Sequence, residues 1–203
     1  KKILSMKEWD EPKYQGLLSP GIWLRNYEGI SDILGMEEWN DPKYKDLLTP
    51  NVWKGTYTEI KKILGMKEWD DPKFSHLLTS NIWKCTYESV MERLQLPYWS
   101  EGKYMQLLTP SLFTLSIKNI NDGIELLKKY GIDDYITNKC LRMKTSLLER
   151  LIEYLIENDI DLLVYIERSS RYSLNPILSC EKGQLKSKYN IDVDALEKAG
   201  KTK

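Results

Sequence analysis

Self-similarity is the feature that most limits how this chain can fold. The stretch from Leu34 to Leu64 carries Trp39, Asn40, Asp41, Pro42, Lys43, Tyr44, Leu47, Leu48, Thr49, Pro50 and Trp53, and it recurs before and after itself. Trp9, Trp39, Trp69 and Trp99 stand thirty residues apart, as do Trp23, Trp53, Trp83 and Phe113. A short fixed period is the mark of stacked supersecondary units, each burying its apolar face against its neighbours instead of in one central core. The expected fold is therefore all-α, an α-solenoid of stacked helical pairs with a ~30-residue repeat. Residues 1–131 make four regular, tryptophan-rich pairs, 132–192 make two divergent pairs forming the C-terminal part of the same solenoid, and 193–203 are a polar tail.

Each unit carries its own punctuation. Asp10, Asn40, Asp70 and Ser100 are N-cap residues or adjoin one, and Pro12, Pro42 and Pro72 fit the first turn of a short helix. Tyr44, Leu47 and Leu48 share the i, i+3, i+4 stripe of that helix and leave Lys43, Lys45 and Asp46 outward. Ser19, Thr49, Thr79 and Thr109 are the expected caps of a longer second helix whose buried face is Trp53, Tyr57, Ile60 and Leu64. Gly35 and Gly65, followed by Met36 and Met66, are expected to end it in the left-handed conformation, as are Gly131 and Asn190 later.

Beyond the regular copies, a long helix is expected over about Pro110 to Tyr130, then a short one from Asp133 or Asp134 through Leu141. A capping box at Ser146–Glu149 would start a helix from Leu147 to Glu157. A sixth pair spans Leu162 to Tyr189, with a loop or hairpin at Ser169–Pro176.

Charge narrows the function classes. Thirty basic and thirty acidic residues give a formal net charge of zero, so any electrostatic site must arise from local asymmetry. Cys85, Cys140 and Cys180 are too few and too scattered for a disulfide framework or a zinc site, which fits an intracellular, cytoplasmic protein. The dominance of Lys, Ile, Asn and Tyr over alanine points to an AT-rich genome. Lys1 falls inside a repeat, as expected of a fragment of a longer protein or of a chain whose N-terminus is omitted.

The unit Pro-x-x-x-Leu-Leu-Thr-Pro followed by Ile60, Ile63, Leu64 and Gly65, with the later runs Leu151 to Ile160 and Asn175 to Tyr189, resembles the repeats of mitochondrial transcription termination factors, the mTERF family. That resemblance implies an array of helical pairs whose concave, basic face binds nucleic acid, DNA more than RNA. Lys13, Lys43, Lys73 and Lys103 form the one column of fixed charge, placed where ammonium and helix N-terminal N–H groups together could hold a phosphate in each repeat; the alternative is pairing with the nearby Asp10 or Asp70 type residue, or a stem lying over a Trp. Arg25, Lys54 and Lys84 lie among outward positions that vary between copies, and Arg142, Lys144, Arg168, Arg171, Lys182, Lys186 and Lys188 are further candidate anion contacts. Trp53 reads as core; Trp39 is either a lock between repeats or a platform for stacking bases.

No catalytic constellation is present. His76 is the single histidine, which leaves no zinc pair and no triad, and neither a glycine-rich phosphate loop nor a calcium loop is found. No cofactor is expected. The reading is a monomeric, non-catalytic nucleic-acid-binding module, with a protein-interaction scaffold as the alternative.

Overall fold

The computed structural model describes residues 2–136, 138, 140–142 and 144–157, and its elements are helices and helical turns, with no strand among the described residues. Contacts divide the chain into two compact units, Lys1–Ser100 with Leu108–Thr114, and Glu101–Leu107 with Leu115–Lys203. The α-helices are α1 (Pro12–Gln15), α2 (Tyr27–Leu34), α3 (Tyr57–Leu64), α4 (Pro72–Ser75), α5 (Tyr87–Leu94), α6 (Ile117–Lys129) and α7 (Thr145–Glu157). The expected sixth pair, the hairpin at Ser169–Pro176, the Asn190 ending and the polar tail lie outside the described residues.

In the first unit the 3-10 turn Pro20–Leu24 packs on Pro50–Lys54, that turn on Ser80–Lys84, and that on Pro110–Thr114, while α2 packs on α3 and α3 on α5. The apolar columns fill the spaces between them. Trp53, Ile60, Ile63 and Leu64 are buried, as are Trp39, Trp69 and Trp83. One buried tryptophan removes about 150–250 Å² from water, worth at most about 4–6 kcal/mol at roughly 25 cal/mol per Å².

The long second helix is not continuous. Val52 donates to Thr49 and Gly55 to Val52 in a 3-10 turn, the chain then extends, and α3 starts anew with Thr56 accepting from Glu59 N–H at 3.3 Å. Asn26, Thr86 and Ser116 cap α2, α5 and α6 in the same way. Ser19, Thr49 and Thr79 precede the 3-10 turns and make no side-chain cap bond. The short first helix forms as α1 and α4 only, in the first and third copies, and Asp71 caps α4 by accepting from Lys73 N–H at 2.8 Å. In the second copy Asp41 accepts from Lys43 N–H in the same way, but a turn and the 3-10 turn Lys45–Leu47 replace the helix, and in the fourth copy the 3-10 turn Gly102–Leu107 does so.

Gly35 and Gly65 also depart from expectation, with φ of −76° and −80°. The reason is that the last helical carbonyls are satisfied from outside the helix. Trp39 and Trp69 indole N–H groups donate to Ile33 and Ile63 at 2.5 Å, and Tyr14 and Tyr44 hydroxyls of the preceding repeat donate to Leu34 and Leu64 at 2.7 and 3.1 Å. No left-handed turn is needed to cover them. Gln95 stands in the corresponding place after α5.

In the second unit α6 packs against α7 and the turns Asp133–Tyr135 and Cys140–Arg142. Gly131, at φ +67°, ends α6 in the expected left-handed conformation, with Ile132 N–H returning to Leu127 at 3.0 Å. Gly123 lets that helix approach closely, since a Cβ there would lie 2.6 Å from Leu141 Cδ2. The α7 helix starts at Thr145, with Leu148 N–H bonded to Lys144 carbonyl, so Ser146 is already inside the first turn and is not its cap.

Candidate recognition surface

The lysine column faces outward but is held between repeats. Lys13 donates to Asn40 at 3.1 Å and lies 3.4 Å from Glu11; Lys43 reaches Asp70 at 2.7 Å; Lys73 donates to the Trp99 carbonyl; Lys103 pairs with Asp133. Each ammonium also sits over the ring that follows it, 4.7 Å from Tyr14, 5.5 Å from Tyr44, 5.2 Å from Phe74 and 5.1 Å from Tyr104. The hydrogen bond to Asp70 raises the pKa of Lys43, and the contact with Tyr14 raises that of Lys13. The backbone N–H groups of Lys43 and Lys73 are taken by Asp41 and Asp71. A phosphate would therefore have to displace both a carboxylate and an existing ammonium partner.

Arg25 is used similarly, donating to the Trp53 carbonyl at 2.9 Å and the Lys54 carbonyl at 2.7 Å. Lys84 donates to Asn81 at 2.8 Å, and Lys54, Arg142 and Lys144 are exposed. Arg168, Arg171, Lys182, Lys186 and Lys188 lie outside the described residues. Trp39 is buried and meets Trp83 edge to face at 6.4 Å between centroids, so it acts as a lock and offers no stacking face.

The surface does contain a groove of about 660 Å³ in the second repeat. It is lined by Ser31 and Asp32 of α2, Met36, then Glu37 and Glu38 of the next 3-10 turn, Asp41 and Tyr44 beyond it, and Tyr57 and Lys61 of α3. Four acidic residues and one lysine thus line it. Lys61 lies 5.6 Å from the Tyr57 ring centre and donates to its hydroxyl at 3.3 Å. That hydrogen bond, then the charges of Tyr57 and Glu38, raises the Lys61 pKa.

A smaller hollow of about 240 Å³ occupies the same place one repeat earlier, lined by Lys2, Ser5, Met6 and Tyr27. Met6 and Tyr27 correspond to Met36 and Tyr57, but the charge differs. The positions of Asp32, Glu37, Glu38 and Asp41 are Lys2, Lys7, Glu8 and Glu11 in the first copy and Lys62, Lys67, Glu68 and Asp71 in the third. Comparing charge down these columns would have singled out the second copy; a search for conserved cations passes over it.

His76 Nε2 lies 2.6 Å from the Leu108 carbonyl. Burial raises the pKa of Cys85, whose thiol points to the Phe113 carbonyl at 3.2 Å and is kept in its neutral form. No group of residues suited to a metal ion occurs among the described residues, and no described helix is long and apolar enough to cross a membrane. Set against known protein families, curated proteins and solved structures, the chain matches none.

Proposed function

We propose that the chain is a non-catalytic protein-interaction module, an α-solenoid of ~30-residue repeats whose acidic groove in the second copy receives a basic segment of a protein partner. The observation that carries this reading is the groove of Asp32, Glu37, Glu38 and Asp41 around Tyr44 and Tyr57. The rings of Tyr57 and Tyr44 already carry the chain's own Lys61 and Lys43 ammonium groups, so what the groove offers a basic segment is its four acidic residues. Carboxylates at this density repel a phosphate backbone, and the lysine column that the mTERF resemblance assigns to phosphates is engaged within the chain. Electrostatic complementarity of this sort sets orientation and partner choice more than raw affinity.

The test is fluorescence anisotropy with a labelled lysine- and arginine-rich peptide, duplex DNA, single-stranded DNA and RNA, at low and near-physiological salt. The peptide is expected to bind, and Glu37→Lys with Glu38→Lys to weaken it at least tenfold with melting temperature unchanged. Submicromolar nucleic-acid binding whose affinity falls by roughly 0.9 log units per log unit of salt for each phosphate neutralised would replace this reading with the nucleic-acid one.

A further inference from the structure

In the first unit the stacked 3-10 turns end on carbonyls that the turn itself does not satisfy, and the residue after the preceding turn covers them. Arg25, which follows Pro20–Leu24, lies along the end of Pro50–Lys54: its Nε donates to the Trp53 carbonyl at 2.9 Å and its Nη2 to the Lys54 carbonyl at 2.7 Å. Cys85, which follows Ser80–Lys84, directs its thiol to the Phe113 carbonyl at 3.2 Å, near the end of Pro110–Thr114. Between these two interfaces the same position is Gly55, which has no side chain to send. The carbonyls of Trp83 and Lys84 accept no side-chain hydrogen bond among the described residues. The setting is otherwise the same. Gly55 is extended at φ −89° and ψ 151°, against −118° and 151° for Arg25; Trp53 and Trp83 are both buried, and Lys54 and Lys84 both exposed.

We propose that the Trp83 and Lys84 carbonyls form a binding site for a guanidinium, that of an arginine side chain from a protein partner, held as the chain holds its own Arg25. Two acceptors on adjacent residues match the planar fork of a guanidinium, whose N–H groups point in fixed directions, whereas a lysine ammonium is a compact, strongly hydrated point charge. A phosphate ester or carboxylate has no proton to donate to a carbonyl, and an apolar group would leave both carbonyls uncovered. Lys54 and Lys84 stand exposed nearby, Lys84 bonded to Asn81 at 2.8 Å, so the site selects its cation by directed bonds and does not draw it in by charge. It shares no residue with the acidic groove of the second copy.

The experiment titrates acetyl-arginine methylamide, and separately its lysine analogue, into the chain and follows by NMR the backbone N–H signals of Lys84 and Cys85, which belong to the same peptide groups as the two carbonyls. The arginine derivative should give saturable shifts at both and bind roughly tenfold more tightly than the lysine derivative. Gly55→Arg should abolish these shifts by placing the chain's own guanidinium there; its Cβ would lie 3.0 Å from Ile60 Cγ1, so the side chain enters after a small shift of that residue. Arg25→Gly needs no such shift and should open a second site, with new saturable shifts at the Lys54 and Gly55 N–H groups. Melting temperatures of both variants separate loss of fold from loss of binding. Three results overturn the proposal: no saturable shift in the parent chain, equal binding of the lysine derivative, or shifts that persist in a folded Gly55→Arg variant. None of these readouts involves Glu37 or Glu38, so a failure here is distinguishable from a failure of the acidic groove to bind its peptide.

Discussion

Two threonines carry a cost that their neighbours avoid. Thr49 and Thr79 Oγ1 are buried with no hydrogen-bond partner among the described residues, whereas Thr109 Oγ1 pairs with Ser111 at 2.7 Å. Asn51 and Asn81 replace that serine in the second and third copies, and Asn81 is turned to Lys84. Leaving a buried hydroxyl unpaired costs roughly 1–3 kcal/mol. Thr79→Val should accordingly raise stability by about 1 kcal/mol and Thr109→Val lower it, both read from urea midpoints; a loss in Thr79→Val would mean that its hydroxyl is paired. Asp133 is the opposite case, a buried carboxylate fully used. Burial disfavours its charge, but the hydrogen bonds from Lys103 and Tyr104, the latter 2.6 Å long, outweigh this and lower its pKa. Its stabilisation is therefore complete above the ordinary aspartate value of about 3.9 and is lost as pH falls through the depressed folded value. At the other end Lys103 is raised by its bond to Asp133, and Tyr104 by burial and then that same carboxylate. Their contribution is complete below the ordinary values near 10 and is lost as pH rises through the raised folded ones. Asp133→Asn should be clearly less stable than the parent at pH 7, with the gap closing below pH ~4 as the parent loses the charged pair. A gap that does not change with pH would show that the carboxylate carries no native charge interaction.

At the level of the element, the break before α3 decides where helix stability resides. Thr56 caps α3 and Thr49 caps nothing, so Thr56→Ala should cost about 1 kcal/mol and Thr49→Ala should incur no capping loss. Equal losses in urea titrations would restore the single helix running from Thr49. The sequence pattern suggests that single helix because Trp53, Tyr57, Ile60 and Leu64 step by four, three and four; Trp53 before the break and Ile60 and Leu64 after it are buried, whereas Tyr57, expected on the same face, is half-buried and lines the groove. The missing signal was the column Asn26, Thr56, Thr86 and Ser116, four cap-type residues at one position, with Thr56 and Glu59 spelling a capping box. Helical class and several core positions could be read directly, since burial of Trp53, Ile60 and Leu64 follows from amphipathic spacing, whereas Trp39 was legible only as a lock or a stacking platform and is buried in the fold. The glycine endings could not, because what covers the last carbonyls of α2 and α3 is an indole and a phenol from other parts of the chain. The acidic groove was hidden for a related reason: its walls come from α2, the following turn and α3, and only folding brings them together.

For the molecule as a whole, what matters is how short the reach of each contact is. Hydrogen bonds between copies in the first unit join residues 20 to 36 positions apart, as in Tyr14 to Leu34 and Trp83 to Leu47. Stability built from such bonds is close to a sum of repeat and neighbour terms, and local openings need not involve the whole unit. All seven tryptophans lie in this unit, each with an indole N–H resolvable by NMR, so the chain carries its own set of reporters. Exchange should be fastest at exposed Trp23, slower at Trp9, whose bond to Ile3 depends on the terminal turn Lys2–Ser5, and slowest at Trp39, Trp53, Trp69 and Trp83, which have copies on both sides. Destabilising the third copy with Trp69→Phe, which removes the bond to Ile63, should accelerate exchange at Trp83 and Trp53 more than at Trp9. One common rate for every buried indole, shifting uniformly in that variant, would instead show that the unit opens only as a single cooperative body. The graded result would mean that each groove opens with its own repeat, leaving charge at a single copy free to vary without disturbing the others.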